Sequence, residues 1–398
     1  MVAQGVRTVQ DVEVEGRRVL VRVDFNVPLN AEGEVADDSR LRASLPTIQH
    51  LRSRGARVVL VSHLGRPKGK VDPRLSMRPV AARLTTLLGR SVPLAPGCVE
   101  PEVRHMVGEL APGGVLMLEN VRFYPGEEAN DPAFARDLAS VVDLFVNDAF
   151  GVAHRAHAST VGVTQHLPSV AGLLLVRELE ALGALLDPAG RPFVVVLGGA
   201  KVSDKLGVIA NLGRRADRLL LGGGLANTFL AACGLDLGDS LVESDMVGEA
   251  RKVLDAVKDG RCCPVELPRD VVVAGDSEHS RIVPPSGVPR GWRVLDIGPR
   301  TVKEYADFIA RARTVFWNGP MGVFEREEYA AGTRGVANAV ADNEGLTVIG
   351  GGDTLAAVNR FGVQGRVTWA STGGGAALEF LEGRELPGLA ALRRGAGT

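Results

Sequence analysis

Short apolar runs recur along the whole chain and alternate with amphipathic stretches. Residues 19–23, 58–61, 115–118, 141–146, 193–197, 218–221, 271–274, 314–317, 346–349 and 367–370 are rich in β-branched and aliphatic side chains. Most of these runs are continuously apolar. Strands covered on both faces read this way, so the pattern predicts parallel sheets with helices on each side. Between them, Ser44 reads as a helix N-cap with Pro46 in the first turn, Leu45, Ile48 and Leu51 on one face, and Gly55 closing the helix. That reading leaves Arg40 and Arg42 in the preceding loop. Residues 171–186 carry Leu174, Leu175, Leu179, Leu182 and Leu185 at helical spacing. The whole pattern is that of an α/β doubly wound chain.

A chain of 398 residues exceeds the usual size of one core, and two domains are expected. The turn-rich stretch Asp187-Pro188-Ala189-Gly190-Arg191-Pro192 marks a boundary, and residues 393–398 read as a frayed end. A net charge of −1 gives no global argument for nucleic acid or membrane as partner. The 4 cysteines form no CxxC pair, which suits reduced thiols better than a disulfide framework or zinc. No apolar leader or membrane-spanning run is visible, and a cytoplasmic location is expected.

In open parallel sheets, ligands bind beyond the carboxyl ends of the strands. In the first half, these ends lead into Asp24-Phe25-Asn26, Ser62-His63-Leu64-Gly65-Arg66, Glu119-Asn120-Val121-Arg122 and Asn147-Asp148, the last followed by His154-Arg155-Ala156-His157. One rim therefore collects Arg40, His63, Arg66, Arg122 and Arg155. Guanidinium forks match phosphate and carboxylate oxygens, so the group predicts a small, multiply charged anion. In the second half, the ends are glycine clusters: Gly198-Gly199-Ala200-Lys201 running to Lys205, Gly222-Gly223-Gly224, Asn318-Gly319-Pro320, Gly350-Gly351-Gly352-Asp353-Thr354, and Gly373-Gly374-Gly375. Each reads as a turn opening a helix, where backbone N–H groups approach phosphate closely. Lys201 and Lys205 would neutralise phosphate oxygens, and Asp353 would ligate Mg²⁺.

Other chemistries fit less well. Residues 65–70 miss the phosphate-loop spacing by one residue, with Val71 where Ser or Thr should ligate the metal. The first strand lacks a dinucleotide fingerprint, which disfavours a nicotinamide enzyme. His154 and His157 lack further ligands for a metal site, and one anion contact with one structural histidine is the better reading.

These motifs, in this order and spacing, resemble phosphoglycerate kinase. The resemblance rests on Val21-Arg22-Val23-Asp24-Phe25-Asn26-Val27-Pro28, Ser62-His63-Leu64-Gly65-Arg66-Pro67, Leu118-Glu119-Asn120-Val121-Arg122, Gly198-Gly199-Ala200-Lys201-Val202-Ser203-Asp204-Lys205, Trp317-Asn318-Gly319-Pro320, Gly350-Gly351-Gly352-Asp353-Thr354 and Ser371-Thr372-Gly373-Gly374. It implies two Rossmann-like parallel-sheet domains of similar size facing a central cleft and bending about a hinge. Residues 1–172 would bind phosphoglycerate, 173–187 form an interdomain helix and 188–382 bind nucleotide, with a tail from about 383 to 398 packing back on the first domain. It further implies Mg²⁺-dependent transfer of the acyl phosphate of 1,3-bisphosphoglycerate to ADP, giving 3-phosphoglycerate and ATP, in a monomer. Carried over by position, Asp24, Asn26, Arg40, His63, Arg66, Arg122 and Arg155 bind phosphoglycerate. Gly199, Lys201, Lys205, Val294, Asn318, Glu325, Gly351, Gly352, Asp353 and Thr354 surround the nucleotide, with Glu325 near the ribose and Asp353 at the metal. Arg40, Lys205, Gly373 and Gly374 face the transferring phosphoryl group. The chain departs from the family pattern at Arg177, Ala376 and Val294, where lysine, serine and glycine are usual.

Overall fold

The computed structural model describes residues 5–275 and 279–395. The chain divides into two compact units. One contains residues up to Glu180 and again from Glu385, and the other runs from Ala181 to Arg384. The division falls inside the helix Leu173–Leu186. Among the described residues, no helix is long and apolar enough to cross a membrane.

In the first unit, β1 (Arg18–Arg22), β2 (Arg57–Val61), β3 (Val115–Met117), β4 (Leu144–Asn147) and β5 (Ser169–Ala171) form one parallel sheet in the order β3-β2-β1-β4-β5. Val21 sits opposite Leu60 of β2 and Val146 of β4. Alternate residues enter different cores. Val19 and Val21 join Val58, Leu60 and Ile48, whereas Leu20 joins Val59, Leu116 and Phe145. Both faces of the sheet are thus covered, which explains why its strands lack polar alternation.

The second unit contains β6 (Phe193–Leu197), β7 (Arg218–Leu221), β8 (Val265–Glu266), β9 (Val271–Ala274), β10 (Arg281–Val283), β11 (Arg293–Ile297), β12 (Thr314–Asn318), β13 (Leu346–Gly350) and β14 (Trp369–Ser371). Six of them form a parallel sheet in the order β14-β13-β12-β6-β7-β8. Val194, Val196, Val315, Trp317 and Ile349 pack there with Tyr305 and Ile309 of the helix Pro299–Arg311. In each parallel sheet the chain reverses its direction of build at one place, between β1 and β4 and between β6 and β12. Crevices for ligands open at such switch points.

Several expectations need correction. The first long helix is Ser39–Ser53, so Ser44 is not its N-cap and Arg40 and Arg42 lie within its first turns. The flanking Asp38 gives no side-chain cap, because its carboxylate is held by Arg42 at 2.8 Å and Arg83 at 2.6 Å. Pro46 therefore lies inside the helix, where it removes one backbone donor. Burial of Leu41, Ile48 and Leu51 carries the helix through it. The run 271–274 is not a parallel strand. β9 lies between β10 and β11 in a separate antiparallel sheet. The strand placed at 141–146 is β4, which starts at Leu144.

Two glycine turns do not open helices directly. The helix after Gly198-Gly199 begins only at Leu206, with Lys205 at its N-cap, and Asn318-Gly319-Pro320 leads into a loop. At the C-terminal end, the helix Pro387–Gly395 includes Arg393, contrary to the frayed reading, and residues 396–398 lie outside the described ones. Gly388 N–H donates to the Ala153 carbonyl at 2.9 Å, which ties this helix into the first unit.

Candidate functional site

Two candidate sites stand at the switch points of the parallel sheets, one in each unit. In the first unit, β1 ends at Arg22 and delivers Asp24 and Asn26 beyond the sheet. Arg40, in the first turn of Ser39–Ser53, is ion-paired with Asp24 Oδ2, while Asp24 Oδ1 has no hydrogen-bond partner among the described residues. Asn26 Oδ1 accepts from the Gly65 N–H at 2.9 Å, and Arg122 donates to the Gly65 carbonyl at 2.9 Å. The turn that follows β2 is thereby held from both sides. Asn120 completes it by donating to the Leu64 and Leu75 carbonyls at 2.7 and 2.8 Å. Arg122 is buried, and its Nε lies 3.1 Å from Glu128 Oε1 as an ion pair without hydrogen-bond alignment. Arg66 is exposed. Arg155 is half-buried beside His154, with Nε 3.3 Å from its Nε2.

Behind these groups lies a buried network that sequence reasoning did not single out. Arg22, fully buried, donates to Ser159 Oγ at 2.8 Å and to His63 Nδ1 at 3.2 Å. An arginine only donates, so His63 Nδ1 must accept, and the ring carries its proton on Nε2. Burial first, then the charges of Arg22, Arg122 and Arg40, hold the His63 pKa well below the usual histidine range. The imidazole is therefore neutral, a hydrogen-bonding group among cations. Ser159 in turn donates to Glu127 at 2.6 Å, and His157 Nδ1 stands 3.6 Å from the same carboxylate. Burial alone would raise Glu127. The His157 and Ser159 contacts and the Arg22 charge outweigh it and keep the acid below its ordinary value. One visible signal pointed here: Arg22 is the one charge in the apolar run 19–23.

In the second unit, Lys205 is buried at the end of the loop that follows β6. Its ammonium donates to Asn318 Oδ1 and, at 3.2 Å, to the Asn318 carbonyl. Burial lowers its pKa to about 8 against a partial pull upward from Asp204 and Asp353. Asn318 Nδ2 donates to the Gly350 carbonyl at 2.7 Å, and Thr354 Oγ1 accepts the Gly319 N–H at 2.7 Å. The ends of β12 and β13 are thus laced together around the lysine. Gly319 and Gly351 both have φ of +94°, in the left-handed region. A Cβ at Gly351 would meet Asn318 Nδ2 at 2.7 Å, and one at Gly319 would run into the Gly198 carbonyl.

Beside this lattice opens a mainly apolar cavity of about 280 Å³. Gly199, Val294, Glu325 and Asp353 line it, together with Leu241 and Val323, which expose their side chains. Val294 sits at a bulge in β11, and its N–H donates to Ser240 Oγ at 2.8 Å. Asp353 is exposed in the first turn of the helix Gly352–Arg360. Of the other expected residues, Lys205, Asn318, Gly351, Gly352 and Thr354 belong to the strand ends and turns beside the cavity rather than to its wall, and Lys201, Gly373 and Gly374 do not line it either. Lys201 is exposed near Glu243, and the Gly373 N–H donates to Ser371 Oγ at 3.1 Å ahead of the helix Gly375–Leu381.

Two further acids were missed. Glu243 accepts from the Val202 N–H at 2.7 Å, the Ser203 N–H at 3.0 Å and the Ser203 hydroxyl at 2.5 Å, tying down the turn before Lys205. Asp296 lines the cavity and accepts from the Ile297 and Gly332 N–H groups at 2.9 and 2.6 Å. Burial pushes its carboxyl up to about 7.

Among the described residues, no three His, Cys, Asp or Glu side chains cluster as a self-sufficient metal site. The two exposed carboxylates on the cavity wall, Asp353 and Glu325, suit Mg²⁺ that arrives on nucleotide phosphates better than a cage of protein ligands.

Comparison with known proteins places the whole chain in a family. The family model for phosphoglycerate kinase matches residues 9–384. The phosphoglycerate kinase of Desulforudis audaxviator is 56% identical over 390 residues, covering 97% of this chain and 99% of that relative. That of Rubrobacter xylanophilus is 57% identical over 389 residues, covering 97% and 98%. The solved structure of phosphoglycerate kinase from Coxiella burnetii superposes with a TM-score of 0.88 at 39% identity, covering 98% of this chain and 99% of that one. The chain belongs to the phosphoglycerate kinase family.

Proposed function

We propose that the chain catalyses reversible transfer of the acyl phosphate of 1,3-bisphosphoglycerate to Mg-ADP, with phosphoglycerate on the first unit's rim and nucleotide in the second unit's cavity. Membership of the family makes it a phosphotransferase whose acceptor is a carboxyl group. The observation that carries the division of labour is the contrast between the rim and the cavity. Arg40, Arg122, Arg155 and the neutral His63 surround one switch point, and a largely apolar cavity beside a buried lysine occupies the other.

On the rim, Arg40, Arg66, Arg122 and Arg155 bind the anionic ends of the glycerate ligand. Asp24, Asn26 and His63 supply hydrogen bonds. In the cavity, Leu241, Val294 and Val323 pack the base and Glu325 serves the ribose. Lys205 and Asn318, with Lys201, Gly351, Gly352 and Thr354, serve the phosphates. Asp353 holds Mg²⁺, which when bound neutralises phosphate charge. Arg40 and Lys205 are the cations assigned to the moving phosphoryl group, with the backbone at Gly373 and Gly374. Such transfer asks for in-line positioning and charge stabilisation away from water. It needs no general base, since a carboxylate and an ADP oxygen are already ionised. We assign the chain to the cytoplasm as a monomer without nucleic-acid or membrane partners.

A coupled assay of ATP formation from 1,3-bisphosphoglycerate and ADP, with Mg²⁺ omitted as control, tests this reading. Absence of Mg²⁺-dependent turnover would refute it. Calorimetry sharpens the metal assignment. Asp353→Ala is expected to weaken Mg-ADP binding about tenfold while leaving metal-free ADP binding nearly unchanged.

A further inference from the structure

The second unit has another opening that the proposed reaction does not use. It is a groove of about 630 Å³ between the helix Leu206–Leu212, which follows Lys205, and the helix Val247–Lys258. Ile209, Ala210, Val253 and Ala256 give it an apolar floor, and Arg214, Lys252 and Arg261 supply cations. Lys252 is paired with Glu249 at 2.7 Å and Arg261 with Asp259 at 2.7 Å. The Arg214 guanidinium, exposed, has no such partner among the described residues.

Cys262 lies in the same wall, next to Cys263. Their backbone is pinned, with Cys262 N–H to the Ala256 carbonyl at 3.2 Å and Cys263 N–H to the Gly213 carbonyl at 2.7 Å. The two thiols interact. The Cys263 S–H first, with Arg214 adding to it, draws the Cys262 thiol down against the opposing effect of burial, and Cys263 is pushed up. The charged groups facing the pair are Arg214, Lys252, Arg261 and Glu249 around the groove and Asp217 on the Cys263 side. The other thiols lack this setting: Cys98 is buried and Cys233 is exposed outside the groove.

We propose that this groove is a thiol-modification site, where Cys262 forms a mixed disulfide with a small anionic disulfide whose carboxylate is held by Arg214. The Cys262 thiolate attacks one sulfur of R–S–S–R. The new Cys262–S–R bond forms as the old S–S bond breaks, and RS⁻ leaves with the electron pair. Cys262 is oxidised and one half of the reagent is reduced, so no other oxidant is required. The groove supplies what selective exchange needs: a thiol drawn toward its thiolate by its neighbours, access, and an unpaired cation beside an apolar floor.

The test uses the full chain at pH 7 with two probes, the dianion 5,5′-dithiobis(2-nitrobenzoate) and the neutral bis(2-hydroxyethyl) disulfide, followed by peptide mass mapping. One equivalent is expected to react fast with the dianion, at Cys262, about tenfold ahead of Cys233. Cys262→Ser should abolish that phase. Arg214→Ala should lower the ratio of dianion to neutral-probe rates several-fold, a change that altered thiolate fraction alone would not produce. A first equivalent that maps to Cys233, a fast phase that survives Cys262→Ser, or an unchanged ratio in Arg214→Ala would each overturn the proposal.

Discussion

The two switch-point regions are built by opposite means. The first is built from side chains. Arg22, Ser159, Glu127 and His157 form a buried polar chain that fixes His63, and Asp24 pairs with Arg40. The second is built from main chain, with Gly319 and Gly351 in left-handed geometry, strand ends laced by Asn318 and Thr354, and one buried ammonium. A site of paired side chains is vulnerable to loss of a charge. A site of closely approaching backbone is vulnerable to gain of a methyl group. The difference teaches which substitution probes which half.

The largest effect is expected from charge removal on the rim. Arg40→Ala should lower kcat about 10²–10³-fold while ADP affinity stays near wild type. Steady-state kinetics with near-normal kcat would end the role given to Arg40. Next comes the added methyl. Gly319→Ala forces a left-handed alanine against the Gly198 carbonyl and should cost about 2–3 kcal/mol of stability, with ADP affinity reduced in parallel. Gly352→Ala, in a helix with open space around it, should stay within about 0.5 kcal/mol. If thermal melts rank the two alike, backbone approach is not what the second site depends on.

A smaller effect comes from pH. Lys205 has a folded pKa of about 8, below the ordinary 10.5, so its charge is lost as pH rises through 8. Phosphate favours the charged form, so ADP affinity should fall by up to about tenfold between pH 7 and 9, with proton uptake on binding above pH 8. Calorimetry in buffers of different ionisation enthalpy measures both, and a flat affinity profile would remove Lys205 from the phosphates.

The smallest expected effect concerns two buried carboxylates, each pushed up to about 7 by burial. Asp148 accepts from the Leu174 N–H at 2.9 Å at the start of Leu173–Leu186, and its Oδ2 has no hydrogen-bond partner among the described residues. Asp296 spends both oxygens on backbone donors. The folded chain keeps these protons above the ordinary value of 3.8, so stability contributed by the protonated form is present at low pH and falls as pH rises toward 7. Asp148→Asn retains the acceptor and should remove part of that slope, about 1 kcal/mol between pH 5 and 8. Asp296→Asn should cost more, because one amide oxygen cannot replace two. Urea titrations across that range would show whether the order holds.

How much of this was legible depends on range. The strands of both parallel sheets were readable because burial on two faces writes continuous apolar runs, as in Phe193–Leu197. The residues at their ends were readable for the same reason, since parallel topology sends the strand ends of each sheet to one edge of that sheet. Short apolar runs carry no direction, so β9 looked like any other strand. Ser44 looked like a cap because a proline two residues later suggested a first turn, whereas packing of Leu41 starts the helix earlier. The side-chain partners of Arg22 lie far along the chain, at His63 and, more than a hundred positions away, at Ser159, and no local pattern announces them. Glu243 was hidden likewise, some forty positions beyond the turn it holds.

That acid has a consequence for amide exchange with solvent. The turn before Lys205 lies outside any helix or strand, and Ser203 is exposed, so its backbone would ordinarily exchange within moments. With the Glu243 carboxylate accepting from both Val202 and Ser203, those two amides should instead be protected at neutral pH. The protection should vanish when that one distant side chain is shortened to alanine. The segment that presents the lysine thus inherits its rigidity from a residue that never enters the cavity.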